Sequence, residues 1–258
     1  MSSVALGGLL LVAGCAALAW VVSLRRGDAS IADICWGPLF AAQAWFYLAQ
    51  VGQGRVVAVV IAVVITLWAS RLALHIGRRH RQVGEDPRYR AMREHRGPAF
   101  WWQSLFIVFW LQAGLAWFIA WPVLAVMADP TAPTSLTWIG LLVALLGAGV
   151  EGLADWPLVR FKTDPGNRGR VLDVGLWRYS RHPNYFGDAV FWWGVYLVAC
   201  GSPGGWLTIA SPALMTLLLL KVSGVSLLER TLTTSKPGYA DYVRRTSAFV
   251  PWAPRRRA

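Results

Sequence analysis

Residues 136–170 read LTWIGLLVALLGAGVEGLADWPLVRFKTDPGNRGR. Residues 136–159 are predominantly apolar, interrupted by two carboxylates, Glu151 and Asp155. A helix needs about 20 such residues to cross the hydrocarbon core of a bilayer, at about 1.5 Å of rise each. The run is followed at once by Arg160, Lys162, Arg168 and Arg170 in a connection rich in Gly, Pro and Asn. An apolar run closed by a basic connection is the signature of a membrane helix ending on the cytoplasmic side.

The same pattern recurs outward from this stretch in both directions. Runs at 4–24, 31–50, 56–77, 102–127, 136–159, 186–201 and 205–228 predict an all-α polytopic membrane protein of seven transmembrane helices. Composition agrees: hydrophobic residues make up 56% of the 258, charged residues only 15%, and the mean hydropathy is +0.45. A soluble domain is usually about a quarter charged. The net charge of +12 does not mark a nucleic-acid binder, because the arginines sit in short blocks between apolar runs rather than along one face. Those blocks, 25–26, 78–96, 160–181 and 230–257, follow the first, third, fifth and seventh runs. The connections 128–135 and 202–204 contain no Lys or Arg, and 51–55 contains only Arg55. The expected topology has the N-terminus outside and the C-terminus in the cytoplasm. The first run has no basic residue before it and Arg25-Arg26 after it, the reverse of a secretory signal, so it is expected to be retained.

Cys15, Cys35 and Cys200 lie in or beside apolar runs without a C-x-x-C pair, so neither a disulfide framework nor a metal site is expected. Gly140, Gly147, Gly149 and Gly152 are expected to be close-packing positions in the fifth span. No G-x-G-x-x-G follows a strand, so a dinucleotide would have to be held by other means than a Rossmann turn.

Three features carry chemistry. Glu151 and Asp155 are spaced i,i+4 on one helix face, and ionisable groups within a span are functional by default; the alternative is simple pairing with Arg160 or Lys162. The loop KTDPGNRGR places Lys162, Arg168 and Arg170 among free backbone N–H groups, which suits a phosphate or an anionic lipid headgroup. In RYSRHPNYFGD, Pro183 suits a first helical turn, and Asn184 and Asp188 then share a face beside Tyr185. The structural alternative has Asn184 capping the helix and Asp188 pairing with Arg181.

GLWRYSRHPNYFGD followed by FWWGVYL resembles the C-terminal signature of the steroid 5-alpha-reductase and sterol-reductase superfamily, in particular its bacterial branch. The tail GVSLLERTLTTSKPGYADYVRRTSAFVPW, with Glu229, Tyr239 and Tyr242, extends the likeness over residues 140–252. The resemblance implies one integral membrane domain over 1–258, with a cytosol-facing cavity for NADPH. Residues 1–135 would form the substrate side and 136–258 the NADPH side. By resemblance Glu151 and Asp155 match cofactor-contacting positions, and Lys162 and Arg170 match the phosphate-contacting loop, where Arg168 also lies. Asn184 and Asp188 match positions near the nicotinamide and ribose. Tyr179, Arg181, His182 and Tyr185 belong to the same block, and Glu229 and Tyr242 to the tail. Eukaryotic members pair an acid on the second span with a tyrosine on the third against the substrate ketone. The candidates for that role here are Asp33, His75 and Tyr89, although Ser30-Ile31-Ala32-Asp33 also resembles a capping box.

The implied activity is NADPH-dependent reduction of a carbon–carbon double bond conjugated to a ketone in a lipophilic, 3-oxo-Δ4-steroid-like substrate, with hydride delivered to the β carbon. Membrane methyltransferases of the isoprenylcysteine carboxyl type carry a related R-H-P-x-Y-x-G block, but their S-adenosylmethionine has no phosphate for the basic loop. A non-catalytic lipid-binding membrane protein is the third class. The expected partners are a lipophilic small molecule and membrane lipids, not nucleic acid, for a monomer in a bacterial inner membrane. The arginine bias, with only Lys162, Lys221 and Lys236 as lysines, suits a GC-rich genome. A reporter fused after Ala258 is expected to be cytoplasmic, and one inserted in 128–135 to lie on the opposite side. Protease accessibility in spheroplasts reads both; finding them on one side overturns the span count.

Overall fold

A computed structural model of the chain describes residues 1–52, 54–222, 225, 229 and 237–255. Among these residues the fold is helical, its one β feature an isolated parallel bridge between Ser180 and Ser247. The chain divides into two compact units, Met1–Pro133 with Ser202–Thr208, and Thr134–Gly201 with Ile209–Ala258.

The first unit holds α1 (Ser2–Arg26), α2 (Ile31–Val51), α3 (Val56–Val83), α4 (Pro87–Arg96), α5 (Phe100–Ser104), α6 (Leu111–Ile119) and α7 (Trp121–Ala128). Helix α2 is its centre, packed on α1, α3, α6 and α7. Phe40, Tyr47, Ile61, Ile65, Trp68, Phe109, Ile119 and Met127 are fully buried there, with Phe40 edge-on to Trp68 at 5.7 Å. The run at 102–127 is not one helix. A π-helical stretch, Leu105–Trp110, joins α5 to α6, and α6 stops at Ala120. Pro122 explains the stop: its ring would clash with the carbonyl of Phe118 in a continuous helix, whereas it is well placed in the first turn of α7.

The second unit holds α8 (Ser135–Thr163), α9 (Pro183–Cys200), α10 (Ala210–Leu217) and α11 (Tyr239–Arg245). A capping box of Thr134 and Thr137 opens α8. Helix α10 continues as a π-helical stretch, Leu218–Val222. Apart from Val225, residues 223–228 of the expected seventh run lie outside the described residues.

Among the described residues, four helical segments are long and apolar enough to cross a membrane: Ser2–Arg26, Val56–Val83, the continuous Pro87–Ile119 and Ser135–Thr163, with a shorter apolar helix at Gly205–Lys221. Their outward faces carry Leu6, Leu10, Leu18, Leu67, Leu142, Leu145 and Leu146, each more than half exposed, which is a lipid-facing surface rather than a wet one. The protein is a membrane protein by these criteria. Helices α2 and α9 fall on the expected runs but are less apolar or shorter. Surrounded by their own unit, they bury surface that α1 and α8 offer to lipid.

The second unit turns on a glycine seam. A Cβ on Gly140 would lie 2.5 Å from the backbone N of Val198, and one on Gly147 2.4 Å from that of Phe191. Reciprocally, Gly187 faces the N of Glu151 at 2.5 Å and Gly194 the N of Ala144 at 2.3 Å. The positions repeat at i, i+4 and i+7 on both helices, so α8 and α9 touch backbone to backbone, the close approach small residues permit between membrane helices. Gly149, also expected to be a packing position, instead faces open space. Its angular position puts it off the seam.

These two glycines should answer an identical substitution with opposite signs. Gly149→Ala is expected to raise the melting temperature in detergent, by the equivalent of up to about 1 kcal/mol of helix propensity. Gly194→Ala should lower it, because two backbones must separate, at a cost of about 1–3 kcal/mol. Equal effects from both would remove the seam as the organising contact.

Candidate functional site

In the first unit, the turn before α2 is stitched to the turn before α4. Gly84, with φ 76, ends α3, and Asp86 caps α4 by accepting from the Arg88 backbone N–H, with Pro87 in the first turn. The Asp86 N–H donates to Ser30 Oγ (2.7 Å), the Ala29 N–H donates to Glu85 Oε1 (3.1 Å), and His80 Nε2 lies 3.0 Å from Asp28 Oδ2. Arg93 also donates to Glu85, at 2.6 Å. Burial raises the Asp86 pKa, but hydrogen bonds and charge from Arg88, with Arg79 beyond, outweigh it and leave the carboxyl below its ordinary value.

This stitching brings Tyr89 onto Asp33. The buried Tyr89 hydroxyl donates to Asp33 Oδ1 at 2.6 Å, and Arg88 donates to Asp33 Oδ2 at 2.7 Å. Gln112 on α6 donates from Nε2 to both Asp33 Oδ1 and the Tyr89 oxygen, each at 3.2 Å. The capping-box alternative does not form: the Ser30 side chain makes no cap bond and instead accepts from Asp86. Two of the three expected proton-handling residues thus meet, while His75 is half-buried on a different element, α3. Sequence reasoning missed Arg88 and Gln112. The signal for Gln112 was present, a polar side chain within the apolar run 102–127.

In the second unit, the glycine seam carries a polar band at its end. Glu151, Asp155 and Asp188 are buried, and Asn184 donates from Nδ2 to Asp155 Oδ1 at 3.1 Å. Asn184 therefore does not cap α9, whose cap residue is His182. Its Oδ1 is buried without a hydrogen-bond partner among the described residues. Such a carbonyl suits a ligand N–H, because an unmet buried acceptor costs about 1–3 kcal/mol. The basic loop folds on itself: Asp164 accepts from the Gly166 N–H (2.9 Å) and from Asn167 (3.2 Å), which leaves Lys162, Arg168 and Arg170 exposed. Arg160 stacks over Trp156 at 4.5 Å. The residues present fit a dinucleotide in chemistry: an open acceptor and buried carboxylates at the seam, and cations on the adjoining loop.

The RYSRHP block is the anchor of the tail. Arg181 is buried and commits four of its five N–H donors to the chain: to Glu229 Oε1 (2.7 Å) and Oε2 (3.0 Å), and to the carbonyls of Val243 (3.1 Å) and Thr246 (2.6 Å). Its partner is Glu229, not Asp188 as the structural alternative had it. His182 Nε2 lies 3.2 Å from Glu229 Oε1, and its ring stacks parallel to Tyr185 at 5.7 Å. The Tyr242 hydroxyl donates to the carbonyl of Trp177, whose Nε1 donates to that of Ala154 (3.0 Å). Tyr179 is exposed. Burial drives both tail phenols up, Tyr239 to about 12 and Tyr242 further, so both stay neutral donors.

A family model described as "Protein of unknown function (DUF1295)" matches residues 19–246. The chain belongs to the DUF1295 family. It is also similar to "Uncharacterized protein C594.04c" of Schizosaccharomyces pombe, 26% identical over 273 residues that cover 95% of this chain and 78% of the yeast protein. No solved structure matches it. The DUF1295 match takes in the whole Asp33 cluster, the seam and the tail as far as α11.

Burial raises the pKa of Glu229, but the hydrogen bonds and charges of His182 and Arg181 outweigh it and hold the carboxyl at about 2, against an ordinary 4.5. A carboxyl depressed on folding stabilises fully above its unfolded pKa, and that stability is lost as pH falls through the folded one. Glu229→Gln should therefore melt below the parent at neutral pH, and the gap should narrow as pH falls from about 4.5 toward 2. Melting curves of both proteins across that window test this; a gap independent of pH excludes the ion pair as its source.

Proposed function

We propose that this protein is an NADPH-dependent reductase of a carbon–carbon double bond conjugated to a ketone in a lipophilic, 3-oxo-Δ4-steroid-like substrate, a bacterial-branch member of the steroid 5-alpha-reductase superfamily. The observation that carries the reading is the 2.6 Å hydrogen bond between Tyr89 and Asp33, built by side chains from three helices. A tyrosine hydroxyl held in place by an acid is the donor that a ketone oxygen needs as it gains negative charge.

Arg88 donates to Asp33 Oδ2, and Gln112 fixes the phenol oxygen from the other side. Turned from Asp33 to the substrate, the Tyr89 O–H donates to the ketone oxygen and stabilises the enolate, while Gln112 Nε2 keeps its bond to the phenol oxygen. The α carbon then takes a proton from water. When bound, NADPH supplies the hydride that adds to the β carbon. Asn184 Oδ1 would accept from its carboxamide, Glu151, Asp155 and Asp188 would take ribose hydroxyls, and Lys162, Arg168 and Arg170 would meet its phosphates. Tyr185, stacked on His182, would border that site, and Arg181, Glu229 and Tyr242 would hold the tail beside it. The seven-span arrangement, with cytoplasmic C-terminus, cytosol-facing cofactor site and monomeric state in a bacterial inner membrane, belongs to the same proposal.

Purified protein in detergent should oxidise NADPH in the presence of enones and release the saturated ketone, identified by mass spectrometry. Each charge-assisted contact to the 2′-phosphate contributes on the order of 1.5–3 kcal/mol, so NADPH should be preferred to NADH by more than about tenfold. Tyr89→Phe or Asp33→Asn should lower turnover roughly 10²–10⁴-fold with NADPH affinity nearly unchanged. Binding of S-adenosylmethionine without NADPH would move the assignment to a methyltransferase. Binding of neither would leave a lipid-binding protein.

A further inference from the structure

Helix α6, LQAGLAWFI, carries a single amide side chain and no charged one, and the π-helical stretch before it sets where that amide points. The buried positions are Phe100, Ser104 and Val108 on the way in, then Phe109, Ala113, Ala116 and Ile119. A straight α-helix would carry the face of Val108 on to residues 111 and 112. The π-helical stretch slips that face by one residue, so Ala113 takes the centre and Gln112 is left on the flank, against Asp33 and Tyr89. Local π-helix within an α-helix is costly and concentrates at functional sites.

Asp33, Tyr89 and Gln112 close a ring of hydrogen bonds. Tyr89 donates to Asp33 Oδ1 at 2.6 Å, and Gln112 Nε2 donates to that same oxygen and to the phenol oxygen, each at 3.2 Å. Oδ1 therefore has a donor for each of its lone pairs, and both amide hydrogens of Gln112 are in use. When Tyr89 swings its hydrogen to a ligand carbonyl, Asp33 Oδ1 keeps Gln112 and Oδ2 keeps Arg88, so no acceptor is stranded. Without the amide, the same swing would leave Oδ1 with no donor in a largely buried place, which opposes it. A ligand hydroxyl meets the reverse situation: Asp33 Oδ1 and the phenol oxygen, to which it would have to donate, already hold donors.

We propose that Gln112 determines the ligand class of this site: by holding Asp33 Oδ1 while Tyr89 is released, it makes the site take a carbonyl in preference to the alcohol of the same skeleton. Gln112 is thus a positioning residue that acts through Asp33 and Tyr89. The inference rests on the reading of Asp33 and Tyr89 as the ketone site. It also implies that the saturated ketone, which offers Tyr89 the same acceptor, competes with the conjugated one, whereas an allylic alcohol does not.

The test is equilibrium dialysis of the full chain in detergent against a radiolabelled 3-oxo-Δ4 steroid and its 3-hydroxy-Δ4 counterpart, a readout that needs no turnover. The parent should bind the ketone more tightly by roughly tenfold or more. Gln112→Met, which keeps the length of the side chain, should bring the two affinities to within roughly twofold by weakening the ketone alone. Gln112→Asn, which withdraws the amide, should also lower the ratio and carries the comparison if Gln112→Met does not fold. A purely structural role for Gln112 would weaken both steroids alike and leave the ratio unmoved. Equal affinities in the parent, or a ratio unchanged in the variants, overturn the inference, and binding of neither steroid overturns it together with the ketone site. A ratio that shifts as expected in a protein that does not oxidise NADPH keeps the role of Gln112 and removes the reductase reading. Enone reduction with a ratio indifferent to Gln112 does the opposite.

Discussion

Gly147 and Gly187 lie so close that a methyl group on either would overlap the other helix's backbone, and the second unit depends on that contact. A membrane offers no hydrophobic force to press helices together, so adhesion must come from close backbone packing and polar bonds. The seam supplies both in sequence along its length: glycines at 140, 147, 187 and 194, then Glu151, Asp155, Asn184 and Asp188 at one end. The carboxylates are brought against Asn184 because the glycines let the helices come close.

Away from the seam, the constraint is that buried charge must be answered. Asp33 has an answer for each oxygen, from Tyr89 and Gln112 on one and Arg88 on the other. Arg181 likewise distributes its donors over Glu229 and two carbonyls. The two hubs differ in what they leave over. Arg181 has its hydrogen-bonding capacity almost filled from within the chain and so acts on the tail's position. The Tyr89 proton has a competitor only in a ligand that can outbid Asp33, and Asn184 Oδ1 has no protein partner among the described residues. The sites open to chemistry are the incompletely satisfied ones.

This contrast supports a division of labour in the proposed reductase. The first unit would handle the proton at a ketone, and the second would hold the cofactor by its carboxamide, hydroxyls and phosphates. The acid and phenol of the first unit are tolerated in a membrane protein because both are paired at rest. The exposed cations of the loop from Lys162 to Arg170 stay where water and headgroups solvate them.

Much of this was determined by the sequence alone. Apolar run length and the placement of arginines specify helices and their membrane character, because bilayer thickness and the cost of burying charge act on composition rather than on contacts. The block RYSRHPNYFGD marked the second unit's polar band, since helix periodicity already sets Asn184 and Asp188 on one face. What only the tertiary structure decided are matters of partner. Asp33 as capping residue or as Tyr89's acceptor, and Gly149 as idle while Gly147 is in contact, are equal possibilities along the chain. So are Glu229 and Asp188 as partners for Arg181. A one-dimensional pattern carries the period of a helix but not the rotation that brings one face against another. That rotation is set by the packing of whole helices, to which residues 56 or 79 positions apart contribute together.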